Sequence, residues 1–390
     1  MSSRRVTHRD VAALAGVSGM TVSRVINGAR SVAPETRERV QAAMDELGYV
    51  PNAFARGLTS QRSHAIGVVV PDMANPFFTL IIRGAESVAR QSGYRVIVCN
   101  TEGDLALERD SFEEMLAHHV DGLLVAPVSD QSRSPLRQII RQGLPVVLVD
   151  RFVSDLRCDV VRGDSYLGAQ MLVRHLVEVG HEKIGLIAGP SNVSTARDRT
   201  LGFRETLASA GLPVEESWIV ETDRVDPQGG RIAMEQLLAR STLPTAILVW
   251  NNFLAAGALQ AIRASGRRVP ADVAVVCFDD NDYAAIVYPF LTVVATPAES
   301  FGTIATQLLL ERIVGREPER PRLVVLPPEL IVRVSCGAKR RNRREEQLVS
   351  PDERADGDQD DVPSAVATSS GPAGSRFPGR RAPLRKMKSP

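Results

Sequence analysis

At 390 residues, with 44% hydrophobic and 5% aromatic content, the chain is long enough to bury more than one core. Its net charge of +1 excludes a uniformly basic or acidic polyelectrolyte, but residues 1–62 carry nine Arg against five acids, so a polyanionic partner is expected at that end. The first nine residues are polar and basic, and no apolar run approaches the ~20 residues that span a bilayer, so neither a secretory signal nor a membrane anchor is expected and the location is read as cytoplasmic, at the nucleoid. The four cysteines, Cys99, Cys158, Cys277 and Cys336, lie far apart with no CxxC pair. They read as isolated thiols of a reducing compartment, with no metal or other cofactor implied.

In chain order, three short helices precede residue 50. Thr7 is a plausible N-cap with Asp10 three residues on; Val11, Ala12 and Ala15 share a face, and Gly16 ends the helix. Ser18 caps a second helix whose apolar stripe is Val22, Val25 and Ile26, ended by Asn27-Gly28. Pro34 opens a third, with Val40, Met44 and Leu47 on its apolar face and Gly48 as its stop. A turn at Pro51-Asn52, a short helix-capable stretch from Ala53 to Leu58 and a polar run to Arg62 then read as a linker with a conditional helix, since two isolated turns are marginal.

From Ala65 the texture changes. Apolar runs at Ala65–Val70, Tyr94–Cys99, Gly122–Ala126, Pro145–Val149, Lys183–Ala188, Ala246–Val249 and Val273–Phe278 alternate with helical stretches such as Phe77–Ser92 and Gly168–Val179. Continuous rather than alternating apolar strands predict parallel sheets covered on both faces. So many units exceed one comfortable doubly wound sheet, and two similar lobes with a ligand cleft at the strands' C-terminal ends fit better. Beyond Gly337 the sequence runs through KRRNRREE, an acidic stretch and Ser/Pro/Gly/Ala-rich residues, and is expected to be disordered.

The segment VTHRDVAALAGVSGMTVSRVINGARSVAPETRERVQAAMDELGYVPNAFARGL resembles the DNA-binding head of the lactose-repressor (LacI/GalR) family. Further marks follow in order: NPFF at Asn75–Phe78, VDR at Val149–Arg151, RTLGF at Arg199–Phe203, FDD at Phe278–Asp280, YPFLT at Tyr288–Thr292 and LPPELIVR at Leu326–Arg333. The resemblance covers roughly residues 6–337. It implies a small all-α helix-turn-helix head (1–50) and a hinge (51–63). It also implies an α/β two-lobed sensor like periplasmic binding proteins, with two doubly wound parallel sheets. One lobe would comprise 64–163 plus 293–322, the other 164–292 plus 323–337, with the tail at 338–390.

In a helix-turn-helix the N-terminal residues of the second helix reach base edges, which makes Gly19, Met20 and Arg24 the candidate readers. Ser18, Thr21, Ser23 and Asn27 suit phosphate contacts, and the resemblance adds Thr7 and Asn52 to the DNA-facing set. The alternative is that these polar groups are the solvated face of a small helical domain. In the hinge, the resemblance assigns Leu58 to a minor-groove wedge with Ala55 against the groove floor; docking of Leu58 on the sensor is the other reading.

For the effector, the resemblance points to Asp150, Arg151, Asp164, Thr195, Arg199, Asn251 and Asp279, with Phe77 and Phe78 as an apolar wall. This set suits a sugar-like ligand, with a purine-like one as the alternative. The expected partners are palindromic operator DNA, a small-molecule effector that releases the DNA or acts as a corepressor, and a second copy of the chain in a homodimer. Several residues depart from the family pattern: Cys277 precedes FDD where Gly is usual, Asn252 stands where Asp is usual, Trp250 is an unusual neighbour for Asn251, and Arg224 occupies a zone where an aromatic stacker is frequent.

A periplasmic solute-binding protein would share the two lobes but needs a signal peptide and has no use for the head. An α/β enzyme finds no support, since no GxGxxG after a strand, GxxxxGK[ST], GxSxG or HExxH occurs.

Overall fold

The computed structural model describes residues 6–26, 29, 31–49, 62–280, 290–316 and 318–337. The expected tail, residues 51–61 of the expected hinge, and the candidates Asn27, Asn52, Ala55 and Leu58 lie outside them.

The head consists of α1 (His8–Ala15), α2 (Gly19–Ile26) and α3 (Pro34–Leu47). The capping residues act as the sequence expects. Thr7 binds Asp10 through both its backbone N–H (2.7 Å) and its hydroxyl (2.6 Å), and Gly16 adopts the left-handed conformation that ends α1. Val11, Ala15, Val22, Val25, Val40 and Met44 close a small core between the three helices.

The sensor holds two six-stranded sheets. The first is built from β1 (Ala65–Val70), β2 (Arg95–Asn100), β3 (Leu123–Val125), β4 (Val146–Val149), β5 (Asp159–Gly163) and β11 (Leu323–Leu326), in the order β11-β5-β4-β3-β1-β2 and parallel throughout. The second contains β6 (Ile184–Ala188), β7 (Ile219–Glu221), β8 (Ala246–Val249), β9 (Ala274–Phe278), β10 (Thr292–Ala295) and β12 (Glu329–Ile331), in the order β12-β10-β9-β8-β6-β7, with β12 alone antiparallel. The lobes thus repeat one winding, β1 corresponding to β6 and β4 to β9.

Helices α4 (Pro76–Gln91), α5 (Leu105–Ala117), α6 (Arg133–Arg141) and α11 (Ala298–Ile313) belong to the first lobe; α7 (Ser165–Val179), α8 (Ser194–Ser209), α9 (Pro227–Leu238) and α10 (Asn252–Ala264) belong to the second. Buried valines and leucines with almost no exposure fill the strands, as two-sided cover demands. The α4–α11 crossing is set by glycine on both helices: a Cβ on Gly84 would lie 2.1 Å from the Glu299 carbonyl oxygen, and one on Gly302 would lie 1.9 Å from that of Ile81.

The chain crosses between lobes three times, but strand membership moves two of the expected boundaries. β10, expected from residue 293 onward in the first lobe, hydrogen-bonds to β9 and β12 in the second. β11, expected in the second, pairs with β5 in the first. The crossings fall just after these strands, at Pro297 and at Pro327-Pro328, where the missing N–H groups end a ladder.

Candidate DNA-reading face and effector cleft

On α2 the apolar stripe is turned into the head core, which leaves the other side free. Met20 is 67% exposed, and Ser18, Gly19 and Arg24 are exposed with it. Met20 and Arg24, four residues apart, share one face. The Ser18 hydroxyl accepts the Thr21 N–H at 3.2 Å and lies 2.9 Å from the Thr21 hydroxyl. Thr21 and Ser23 are half-buried. Thr7, caught by Asp10, is first a helix cap.

Between the lobes lies a cavity of about 840 Å³. Its lining comes from the C-terminal ends of strands: Pro71 to Phe78 after β1, Asn100 to Gly103 at β2, Val128 beyond β3, Asp150 and Arg151 after β4, Pro190 to Arg199 after β6, Asp223 to Asp226 after β7, Trp250 and Asn251 after β8, and Asp279 after β9. This is where two open parallel sheets present a ligand site. Eight of the nine expected effector residues, Phe77, Phe78, Asp150, Arg151, Thr195, Arg199, Asn251 and Asp279, line it. Asp164 does not. Its carboxylate accepts the Leu167 N–H at 2.9 Å and caps α7, so its place in the GDSYLG segment is structural.

Each lobe contributes a carboxylate and a guanidinium. In the first, Arg151 Nε lies 3.8 Å from Asp150, while Nη1 donates to the Pro127 and Val128 carbonyls at 3.3 Å. In the second, Arg199 lies 3.9 Å from Asp279, donates to the Trp250 carbonyl and stacks 3.9 Å over the Phe278 ring. Burial dominates all four groups. It pushes the Asp150 carboxyl up to about 6 and the Asp279 carboxyl upward, and it lowers both arginines, with the opposite charges nearby working against each shift. Asp150 and Asp279 also share a backbone feature: each follows corresponding strands, β4 and β9, in the left-handed region at φ 64° and 69°.

Residues beyond the expected set complete the site. Asn75 caps α4 by accepting the Phe77 N–H at 3.0 Å, and its side-chain oxygen lies 3.5 Å from the Asn252 amide of the other lobe. The unusual Asn252 is thus a cross-cleft contact. Asn251 caps α10, accepting the Leu254 N–H at 2.9 Å. At the rim Arg224 pairs with Asp226 at 2.6 Å. Where the lobes meet, consecutive residues of α8 bind the first lobe: Arg197 pairs with Asp130, and Asp198 with Arg162 at 2.6 Å. Ser194 accepts the Phe152 N–H at 3.1 Å. The pairings between lobes have no local signature, because their partners stand dozens of residues apart.

Two family models match the chain: that of the bacterial regulatory proteins of the lacI family over residues 7–52, and a periplasmic binding protein-like domain over residues 173–336. Among curated relatives, the HTH-type transcriptional repressor PurR of Photobacterium profundum is 37% identical over 330 residues, 84% of this chain and 98% of that protein. The ribose operon repressor of Escherichia coli K12 is 35% identical over 323 residues, 82% and 97% of the two chains. Among solved structures, the lac repressor dimer bound to operator and an anti-inducer superimposes with a TM-score of 0.75 at 32% identity, covering 85% of this chain and 99% of that one. The regulator CelR in complex with cellobiose gives 0.65 at 35% identity, covering 85% and 100%. Matched over more than four-fifths of its length by relatives 35–37% identical to it, the chain belongs to the LacI family of bacterial regulatory proteins.

Proposed function

We propose that this chain is a transcriptional repressor that binds a palindromic operator as a homodimer and is switched by a sugar-like effector in the inter-lobe cleft. The observation that carries this reading is the union, in one chain, of an exposed reading face on α2 with a cleft closed by two opposed carboxylate–guanidinium pairs. Arg24 serves as the base-edge donor and the short hydroxyls fix register on phosphates. The cleft groups bind hydroxyls: a buried carboxylate accepts and a buried guanidinium donates, and such charge-assisted bonds are stronger than neutral ones. Relatives named for ribose and bound to cellobiose support a sugar, with a purine-like effector as the alternative. Release of DNA on effector binding is the favoured direction. The switch works because the effector engages both lobes at once and so favours one inter-lobe arrangement over another.

The test is to select operators from a randomised palindromic pool with the purified full chain, then measure affinity with and without neutral sugars, with light scattering on the same sample. A two-fold operator, a dimer, and weakening by a sugar are expected. Absence of sequence preference, or a stable monomer, would overturn the reading.

A further inference from the structure

Among the described residues eight buried side-chain polar atoms lack a hydrogen-bond partner, and four of them gather at the cleft. Arg151 Nε, Arg199 Nε and Trp250 Nε1 belong to cleft-lining residues, and Asn252 Oδ1 sits on the residue that bridges the cleft. Buried donors without acceptors are a standing cost that a bound partner relieves. Three orphaned N–H groups around one cavity therefore point to a ligand rich in oxygen acceptors.

Trp250 is the member of this group that neither charge pairing nor capping explains. It is 3% exposed and follows β8 directly. A Cβ on Gly189 would lie 2.4 Å from the indole ring, so the ring is seated on that glycine's backbone, and the same tryptophan lines the cavity. Phe77 and Phe78 line the cavity from the first lobe and Trp250 from the second. The rim position where the family resemblance expects a stacking aromatic holds Arg224, which is engaged by Asp226. The two buried carboxylates and two buried guanidiniums of the cleft balance, and the remaining charged lining residues, Asp72, Glu102, Asp223 and Asp226 against Arg224, leave it acidic, so an uncharged ligand is accommodated and an anion is not.

We propose that Trp250 is the specificity residue of the cleft, its indole N–H donating to an oxygen of an uncharged, ring-form polyol held between the aromatic walls of the two lobes. The proposal rests on the reading of this cleft as the effector site. Engagement draws the indole off its seat toward the ligand, so Trp250 also reports occupancy. The chain's other tryptophan, Trp218, donates its N–H to the Thr242 carbonyl at 3.0 Å and does not line the cavity.

The experiment uses the full chain carrying Trp218→Phe, which leaves Trp250 as the sole tryptophan. Its emission is followed during titration with neutral pentoses, hexoses and disaccharides, ribose and cellobiose among them, and with glucuronate and adenine as charged and purine probes. A neutral sugar should shift the emission. In calorimetry on the otherwise natural chain, Trp250→Phe, which keeps a ring but loses the donor, should bind that sugar about tenfold more weakly. Gly189→Ala, which drives a methyl into the indole's seat, should weaken the same sugar, and it decides the matter if Trp250→Phe does not unfold cooperatively. Equal binding by wild type and both variants overturns the role of Trp250 while leaving the cleft as effector site. Preference for glucuronate or adenine overturns the ligand class, and a cleft that binds none of the sugars overturns the site reading together with the proposal.

Discussion

Asp150 shows what burying a carboxylate costs. Its carboxyl is raised by burial from an ordinary 3.8 to about 6. Between roughly pH 4 and pH 6 the folded chain therefore holds a proton that the unfolded chain has released, and stability falls as pH rises through that window; the full cost, on the order of 3 kcal/mol, is present above about pH 6. Asparagine tolerates the left-handed backbone found here and carries no charge. Asp150→Asn should flatten the pH dependence of unfolding between roughly pH 4 and pH 6 and raise stability at neutral pH by on the order of 1–2 kcal/mol, the loss of Arg151's counter-ion offsetting part of the gain, while the effector response disappears. Denaturant titrations across pH check this, and an unchanged slope would count against it. On the head, the exposed Met20, at the proposed reading position, can offer apolar contact and a weak acceptor. Met20→Gln should shift operator preference toward adenine at one position per half-site by roughly 1–3 kcal/mol, read by selection from a randomised pool. Such residues were legible because each sits in a short motif. The cross-lobe pairings of Asn75, Arg197 and Asp198 were not, since their partners Asn252, Asp130 and Arg162 are brought up by other parts of the chain.

Among elements, α7 separates a cap from a ligand. Asp164→Ala should cost roughly 0.5–2 kcal/mol of stability, typical of a lost N-cap, and leave effector affinity as it was; calorimetry beside thermal unfolding distinguishes the two. The helices of the head were readable to within a residue or so because Thr7, Gly16, Pro34 and Gly48 punctuate them. Several strands were not. β5 carries Asp159 in a fully buried position, which by pattern argues against a core strand; the charge is neutralised by Arg312 at 2.6 Å and Arg322 at 2.8 Å, both more than 150 residues onward. β7, β11 and β12 are short and partly exposed, and their place is fixed by sheet neighbours rather than by their own periodicity.

At the scale of the whole molecule, the first two turns of α8 fasten the lobes, with Arg199 facing the cleft while Arg197 and Asp198 grip the other lobe. Asp198→Ala should loosen this fastening, enlarge the radius of gyration seen by small-angle scattering, and weaken effector binding roughly fivefold, the equivalent of about 1 kcal/mol for a partly buried pair. An unchanged scattering curve would place the control of lobe closure elsewhere. The triple crossing also orders the birth of the protein. A ribosome emits the head first, and then β1 to β5, whose sheet lacks β11 and whose α4 lacks the cover of α11 until another 130 residues and more have followed. The second lobe has five of its six strands before the first can be finished, so Phe77, Phe78 and Ile81 wait uncovered for Phe301 and its helix. A message truncated near residue 296 would thus yield a head released without a finished sensor, and the last thirty-odd described residues act as the seal on both lobes, β11 closing one sheet and β12 the other.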